Sequence, residues 1–258
     1  MLTRRIVQLV LMIFFAGVVA SCNGDSDDGV PLIFAAASLS DVLTESAEIY
    51  ERETGRRVNF SFGGSITLAN QVATLGAPAD GVFLVGEQSE KILEDLVLPV
   101  PSENVALRNS LVVIAADGAG SIESLGVLAA GGFRVAIGDP SLAPAGRFAQ
   151  EALESAGVWN EVLDSLVFAV DVRAAMAAVE SGNSRYGIVY KTDAATSDSV
   201  SIVYEIEDGY TRIHYVGRSL ADADNKEAAS DFFGFIAKSE ETTTLFESAG
   251  FIVQYAGL

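Results

Sequence analysis

Four short loops of small residues each stand between a predicted strand and a predicted helix start: Ala35–Ser38, Gly63–Ser65, Pro144–Gly146 and Asp171–Val172. A helix N-terminus leaves about four backbone N–H groups without a partner and carries a partial positive charge. Ser38 and Ser65 each add a hydroxyl donor at such a point. Because the first three loops contain no charged residue, the pattern favours a small anion held by neutral donors.

Each loop taken alone is also typical of ordinary local structure. A Ser before a helix most often caps that helix, and Gly-Gly most often forms a turn. A hydrolase that used Ser38 or Ser65 would need a base, and the only His, His214, stands in an alternating run typical of a strand. No Gly-x-Ser-x-Gly elbow is present. We therefore expect a binding protein with no catalytic residues, and not an enzyme.

Strands and amphipathic helices alternate along the chain, which predicts an α/β fold with mainly parallel sheets. In such sheets the loops after the strands meet at one edge, where ligands bind. The predicted strands span 32–36, 58–62, 81–85, 110–115, 133–137, 166–170, 186–190, 201–204 and 211–216. Helical apolar spacing marks 39–50, 66–75, 148–156, 172–179, 226–237 and 241–249.

The first residues predict export and lipidation. Arg4 and Arg5 precede an apolar run, from Ile6 to Ala20, that is shorter than the ~20 residues of a membrane-spanning helix. Small residues then lead into Cys22, the only Cys, as in the lipobox of bacterial lipoproteins. We expect a signal peptide over 1–21 and a lipidated Cys22 within a flexible tether over 22–30. An ordinary secretory signal remains the alternative.

The charge balance excludes one class of partner. The chain has 35 acidic and 16 basic residues, a formal net charge of −19. Such a surface repels nucleic acid and anionic lipid headgroups, so we expect no nucleic-acid partner and no membrane contact beyond the anchor.

An ordered set of motifs resembles the periplasmic molybdate- and tungstate-binding proteins of ABC importers. The motifs are Phe34–Leu39, Ser61–Ala69, Gly76–Asp80, Asn109–Val113, Gly138–Gly146, Asp171–Arg173, Gly187–Tyr190 and Ser248–Phe251. The likeness runs over nearly all of the chain from Pro31. It implies a two-lobed, flytrap-like fold in which each lobe is a mainly parallel sheet flanked by helices. Lobe I would comprise 31–108 and 217–258, lobe II 109–216, with the ligand in the cleft between them.

The same resemblance implies the ligand contacts. Ser38 and Ser65 would donate hydroxyl hydrogens from lobe I, and Gly86 would add a backbone contact there. Lobe II would supply the amides of Ala145 and Val172 and the hydroxyl of Tyr190. Gly64 and Ile66 stand where relatives often carry further serines.

The resemblance further implies molybdate or tungstate as ligand, with another oxyanion such as sulfate as the alternative. A donor-only site disfavours protonated phosphate, whose O–H would find no acceptor, but sulfate carries no such proton. We expect no cofactor, no cation site, an ABC importer permease as partner and a monomer. Its place would be the outer face of the cell membrane, which is the periplasm in a two-membrane cell.

Overall fold

The computed structural model describes residues 29–99, 105–116 and 118–255. The predicted signal peptide, Cys22 and nearly all of the tether lie outside these residues. No helix in the described part of the chain combines the length and apolar character needed to cross a membrane.

Strands and helices alternate as the sequence predicts. The strands are β1 Leu32–Ala36, β2 Asn59–Gly63, β3 Gly81–Val85, β4 Val105–Arg108, β5 Leu111–Ala116, β6 Val135–Gly138, β7 Leu166–Ala169, β8 Tyr186–Tyr190, β9 Val200–Ile206, β10 His214–Ser219 and β11 Ile252–Tyr255. The α-helices are α1 Ser40–Thr54, α2 Ser65–Leu75, α3 Glu87–Leu93, α4 Gly126–Ala130, α5 Pro144–Ser155, α6 Trp159–Val162, α7 Val172–Glu180, α8 Lys191–Ala194, α9 Lys226–Lys238 and α10 Glu240–Ser248. A short 3-10 helix, Ala37–Leu39, joins β1 to α1.

The strands form two sheets. The six-stranded sheet has the order β11-β4-β10-β3-β1-β2, and the five-stranded sheet has the order β7-β6-β8-β5-β9. The chain passes between them directly from β4 to β5 and from β9 to β10. The α/β fold built on two sheets with flanking helices agrees with the sequence prediction.

The sheets are mixed, whereas the sequence predicted mainly parallel ones. β1 pairs with β2 and β3 in parallel, and β6 pairs with β7 and β8 in parallel. The strands that carry the chain between the sheets, β4, β5, β9 and β10, pair antiparallel with their neighbours. β5 and β10 arrive from the other sheet and not through the crossover connection that joins sequential parallel strands.

Two four-residue strands, β4 and β11, were not predicted from the sequence. β10 pairs with β3 from Tyr215 onward and with β4 from His214. β10 therefore belongs to the six-stranded sheet.

Local sequence explains where the helices at the cleft begin. α5 starts with Pro144, whose missing N–H costs nothing in the first turn. α7 is capped by Asp171, whose Oδ1 accepts a hydrogen bond from the Ala174 N–H at 2.9 Å. Buried apolar faces then fix these helices against the five-stranded sheet, where Ala149, Ala175 and Val179 are fully buried. The helix starts are held at the carboxyl ends of their preceding strands as a result.

Candidate functional site

A small cavity lies between the two sheets, at the loops that follow β1, β2, β6, β7 and β8. It is lined by Ala36, Ala37, Ser38, Gly63, Gly64, Ser65, Val85, Ala143, Pro144, Ala145, Asp171, Val172 and Tyr190. The cavity volume is about 10 Å³, close to the minimum that holds one water molecule. The cavity is thus far too small for a sugar or peptide.

Three buried hydroxyl groups converge on this cavity. Ser38 is 3 % exposed, Ser65 is 1 % exposed and Tyr190 is 1 % exposed. Ser38 and Ser65 follow strands of the six-stranded sheet, and Tyr190 ends β8 of the five-stranded sheet. Residues from both sheets therefore present O–H groups to one small space.

The Ser38 hydroxyl is held by the protein on one side only. Its Oγ lies 3.1 Å from the Oη of Tyr215, a fully buried residue of β10. Tyr215 Oη in turn accepts a hydrogen bond from the Asn109 Nδ2 at 3.2 Å. The Ser38 side chain is thus fixed in place.

The Ser65 hydroxyl is fixed by a backbone group. Its Oγ accepts a hydrogen bond from the Val85 N–H at 3.2 Å. Ser65 is the first residue of α2 and its side chain caps nothing, so the ordinary N-cap role does not apply. With one lone pair occupied by Val85, the hydroxyl hydrogen is free to be donated.

Tyr190 carries a buried hydroxyl that has no hydrogen-bond partner among the described residues. Unpaired buried polar atoms are costly and rare, and each calls for a reason. Burial, the largest cause, together with the electrostatic effects of Tyr215 and Asp193, raises the pKa of the Tyr190 hydroxyl well above its usual value. The group therefore keeps its proton and can donate it to a ligand in the cavity.

Backbone donors complete the lining. Ala145 is the second residue of α5 and Val172 is the first residue of α7, so neither N–H has a carbonyl partner within its own helix. Asp171 is the one acidic residue of the lining, and its Oδ1 accepts the N–H of Ala174. Its carboxylate thus serves the helix start. No three His, Cys, Asp or Glu side chains in the described part of the chain group as metal ligands.

Gly86 is the one expected ligand contact that the structure does not bring to the cavity. Its N–H is donated to the carbonyl of His214 at 3.1 Å. With a φ of 86° it forms the turn between β3 and α3. The lining residue at this end of β3 is Val85 instead. Sequence spacing could not find this pairing because it depends on the register between β3 and β10.

Gly64 marks a close contact between the loop after β2, in the six-stranded sheet, and the loops after β6 and β7, in the five-stranded sheet. A Cβ at this position would lie 2.7 Å from the Leu142 carbonyl oxygen and 2.9 Å from the Val170 carbonyl oxygen. The Thr67 N–H also donates to the Leu142 carbonyl at 3.1 Å. Only glycine permits this contact between the two sides.

Two groups of residues near the cavity were not assigned a ligand role from sequence. Tyr215 is hydrogen-bonded to Ser38, and Asn109 is hydrogen-bonded to Tyr215. A tyrosine in an alternating strand gives no sequence signal of such a contact. Arg173, which the motif comparison placed beside Val172, forms ion pairs with Asp41 of α1 at 2.7 Å and with Asp193 of α8 at 2.5 Å. Arg173 is thus a bridge between the two sides.

Comparison with known proteins places the chain among transport proteins. The family model for bacterial extracellular solute-binding proteins matches residues 31–252. The molybdate-binding protein ModA of Escherichia coli is 33 % identical over 254 residues, which cover 93 % of this chain and 97 % of that protein. YvgL of Bacillus subtilis, assigned as an ABC transporter substrate-binding lipoprotein, is 32 % identical over 247 residues, covering 92 % of this chain and 94 % of YvgL.

Solved structures agree on the fold. The periplasmic molybdate-binding protein of Azotobacter vinelandii superposes with a TM-score of 0.75 at 24 % identity, covering 87 % of this chain and 99 % of that one. The resemblance drawn from the motifs is therefore confirmed by whole-chain similarity. The chain belongs to the bacterial extracellular solute-binding proteins, and it is a binding protein rather than an enzyme.

Proposed function

We propose that this protein captures molybdate or tungstate outside the cytoplasm and delivers it to the permease of an ABC importer. The observation that carries the proposal is the convergence of three buried hydroxyl groups, from Ser38, Ser65 and Tyr190, on one small cavity. The similarity to molybdate-binding proteins supports the same ligand.

The chemistry of the donors matches the ligand. Molybdate and tungstate carry no proton at neutral pH, so their oxygens only accept hydrogen bonds. The proposed contacts are the hydroxyls of Ser38, Ser65 and Tyr190 and the amides of Ala145 and Val172. A hydrogen bond to a charged group contributes about 1.5–3 kcal/mol, so a few such contacts suffice for tight binding without a buried cation.

The two sheets would belong to two lobes that close on the ion. The six-stranded sheet would form lobe I and the five-stranded sheet lobe II, with the connections at 109–110 and 207–213 acting as hinges. A ligand that touches both lobes stabilises the closed form by its differential affinity for that form. The closed protein, rather than the ion alone, would be the species that the permease receives.

Calorimetry with molybdate, tungstate, sulfate and phosphate tests the ligand assignment directly. We expect strong heats with molybdate and tungstate and little or no heat with phosphate at neutral pH. Equal and feeble heats with all four ions would refute the oxyanion site. If only sulfate bound strongly, the ligand assignment would change from molybdate to sulfate, and the assignment of the oxyanion site would stand.

The lipid anchor is a separate proposal, supported by the residues around Cys22 and by the similarity to YvgL. We expect the full-length protein to sediment with membranes when it is expressed in a bacterial host. The Cys22→Ser variant should appear in the soluble extracytoplasmic fraction or keep its signal peptide. Membrane association of that variant after removal of its signal peptide would exclude lipidation at Cys22 as the anchor. Gel filtration of the same soluble form tests the expectation of a monomer.

A further inference from the structure

We infer that Tyr215, with Asn109, is a positioning residue that forces the Ser38 hydroxyl to act as a donor toward the cavity. The inference rests on the proposed oxyanion function and concerns two residues that line no part of the cavity. It follows from the directions in which hydrogen bonds can run between Asn109, Tyr215 and Ser38, which we call the Asn109 relay.

The relay begins with an amide whose orientation is determined. Asn109 lies between β4 and β5, where the chain crosses from one sheet to the other. Its Oδ1 accepts the backbone N–H of Ser110 at 2.9 Å. A flipped amide would place its NH₂ against that N–H, so Nδ2 must face the other way, where it can only donate.

Both hydrogens of that Nδ2 have acceptors. One is donated to Thr192 Oγ1 at 2.8 Å and the other to Tyr215 Oη at 3.2 Å. Tyr215 Oη therefore uses a lone pair toward Asn109, and its own hydrogen is left for another acceptor. The neighbouring oxygen, at 3.1 Å, is Ser38 Oγ.

The direction of the hydrogen bond between Tyr215 and Ser38 determines what Ser38 offers to the cavity. If Tyr215 donates to Ser38, the Ser38 Oγ is an acceptor on that side and its hydrogen points elsewhere. Ser38 lines the cavity, so the free hydrogen is available to an ion there. Ser65 reaches the same state by accepting the Val85 N–H. The cavity thus receives O–H hydrogens from both serines.

This arrangement has a consequence for ligand preference. A hydroxyl alone can rotate and serve either as donor or as acceptor. The Asn109 relay removes that choice from Ser38, so a fully ionised oxyanion is favoured over one that carries a proton. The relay also starts at the crossing between the sheets and reaches Thr192, two residues after Tyr190, so it contacts both sides of the cleft.

A double-mutant cycle tests the relay on the full-length protein. Molybdate affinity would be measured by calorimetry for the unsubstituted protein, Ser38→Ala, Tyr215→Phe and the double variant. We expect Tyr215→Phe to weaken binding about tenfold. In the Ser38→Ala background the same change should have an effect of no more than about twofold, because the hydroxyl through which Tyr215 acts is gone. A general structural role for Tyr215 would weaken binding in both backgrounds.

Tyr186→Phe is the matched control. Tyr186 is a buried tyrosine at the opposite end of β8 from Tyr190, and its hydroxyl accepts a hydrogen bond from the Arg185 Nε at 3.4 Å. Its loss should leave molybdate affinity unchanged in both backgrounds. If Tyr215→Phe does not fold, as judged by circular dichroism, Asn109→Ala takes its place and should likewise lose its effect in the Ser38→Ala background.

The outcomes separate the two proposals. An unchanged affinity for Tyr215→Phe, or an equal loss with and without the Ser38 hydroxyl, would overturn the relay while molybdate binding stands. Absence of molybdate binding by the unsubstituted protein would overturn the proposed function first, and the relay with it.

Discussion

Two regions join the halves of this molecule, and they use opposite chemistry. The cavity presents neutral hydroxyls and amides, and its one acidic lining residue, Asp171, accepts the Ala174 N–H. Outside its lining, Arg173 of α7 joins Asp41 of α1 to Asp193 of α8 through ion pairs. The Arg173 side chain is 25 % exposed, Asp193 is fully buried and Asp41 is 58 % exposed.

This difference in chemistry assigns ligand selection to the cavity and the holding of the closed form to the Arg173 ion pairs. Neutral, oriented donors recognise an acceptor-only ion by its hydrogen-bonding pattern, and an unmatched proton on the ligand is costly. An ion pair such as Arg173–Asp41 contains nothing that distinguishes one ligand from another. We expect the cavity to set which ion binds, and the Arg173 bridge to contribute to how firmly the closed form is held.

The largest expected effect comes from removing both serine hydroxyls of the cavity. Ser38→Ala combined with Ser65→Ala should weaken molybdate binding by roughly 3–6 kcal/mol, because each lost bond to a charged ligand costs about 1.5–3 kcal/mol. Calorimetry measures this. The matched control is Ser46→Ala with Ser89→Ala, two fully buried serines whose hydroxyls bond carbonyls of their own region. Unaltered affinity in the first pair would remove these serines from the site.

The second effect is a pH dependence that belongs to the bridge and not to the cavity. Burial, the largest cause, raises the pKa of Asp193 from 3.8 to about 7, although Arg173 opposes it. The folded protein therefore holds this proton more tightly than the unfolded chain. The contribution of this proton to the free energy of unfolding is fully present below pH ~4 and is lost as pH rises through about 7.

Asp193→Asn should abolish that dependence. Between pH 4 and 8 the free energy of unfolding of the parent should fall by up to about 4 kcal/mol more than that of the variant. Denaturant titrations of the ligand-free protein measure the slope. Asp231→Asn, which removes an exposed carboxylate paired with Arg56, serves as the comparison and should keep the parent slope. An identical slope in Asp193→Asn would show that Asp193 titrates normally.

The third prediction concerns the close approach at Gly64. Gly64→Ala would place a Cβ within 3 Å of the Leu142 and Val170 carbonyl oxygens, so the two sides could not meet fully. Molybdate affinity should fall by about 1–3 kcal/mol, and small-angle scattering should show a smaller compaction on adding ligand. Gly120→Ala is the control, since nothing lies within 4 Å of a Cβ there. Full compaction of Gly64→Ala would mean that the lobes accommodate the methyl group.

The smallest expected effect is that of Asp41→Asn. An exposed ion pair contributes about 0.2–1 kcal/mol and is weakened by salt. Binding of molybdate, tungstate and sulfate should weaken by this same amount, leaving their ratios unchanged. Asp231→Asn breaks a comparable exposed pair, with Arg56 at 2.6 Å, and should leave all three affinities as they were. A change in the ratios would assign Asp41 to ion selection after all.

Most of the candidate site could be predicted from sequence, but in two different ways. The loop pattern alone singled out Ser38, Ser65 and the loops 144–146 and 171–172, because helix starts after buried strands are visible in hydrophobic spacing. The choice of the Ala145 and Val172 amides within those loops came from the family resemblance. Tyr190 required the family resemblance, since a tyrosine at the end of a strand is ordinarily part of the core. The structure brings these five residues to one cavity and leaves Gly86 outside it.

The remaining features depend on how distant segments pair. The antiparallel pairs of β4 and β10 lie where the chain crosses from one sheet to the other, and β11 adds to β4 from the far end of the chain. Periodicity describes each segment separately and carries no information on which strand lies beside it. The mainly parallel pairing was therefore the least accurate expectation about the fold.

Local composition by itself determined the acidic surface, the alternation of strands and helices, and the supply of neutral donors at helix starts. Only the tertiary structure decided that Tyr215 would meet Ser38, 177 residues earlier in the chain, and that Arg173 would reach Asp41 across the cleft. The physical reason is that donor type is a property of one residue, whereas the direction of a hydrogen bond is set by both of its partners. Those partners are brought together by the packing of the whole chain.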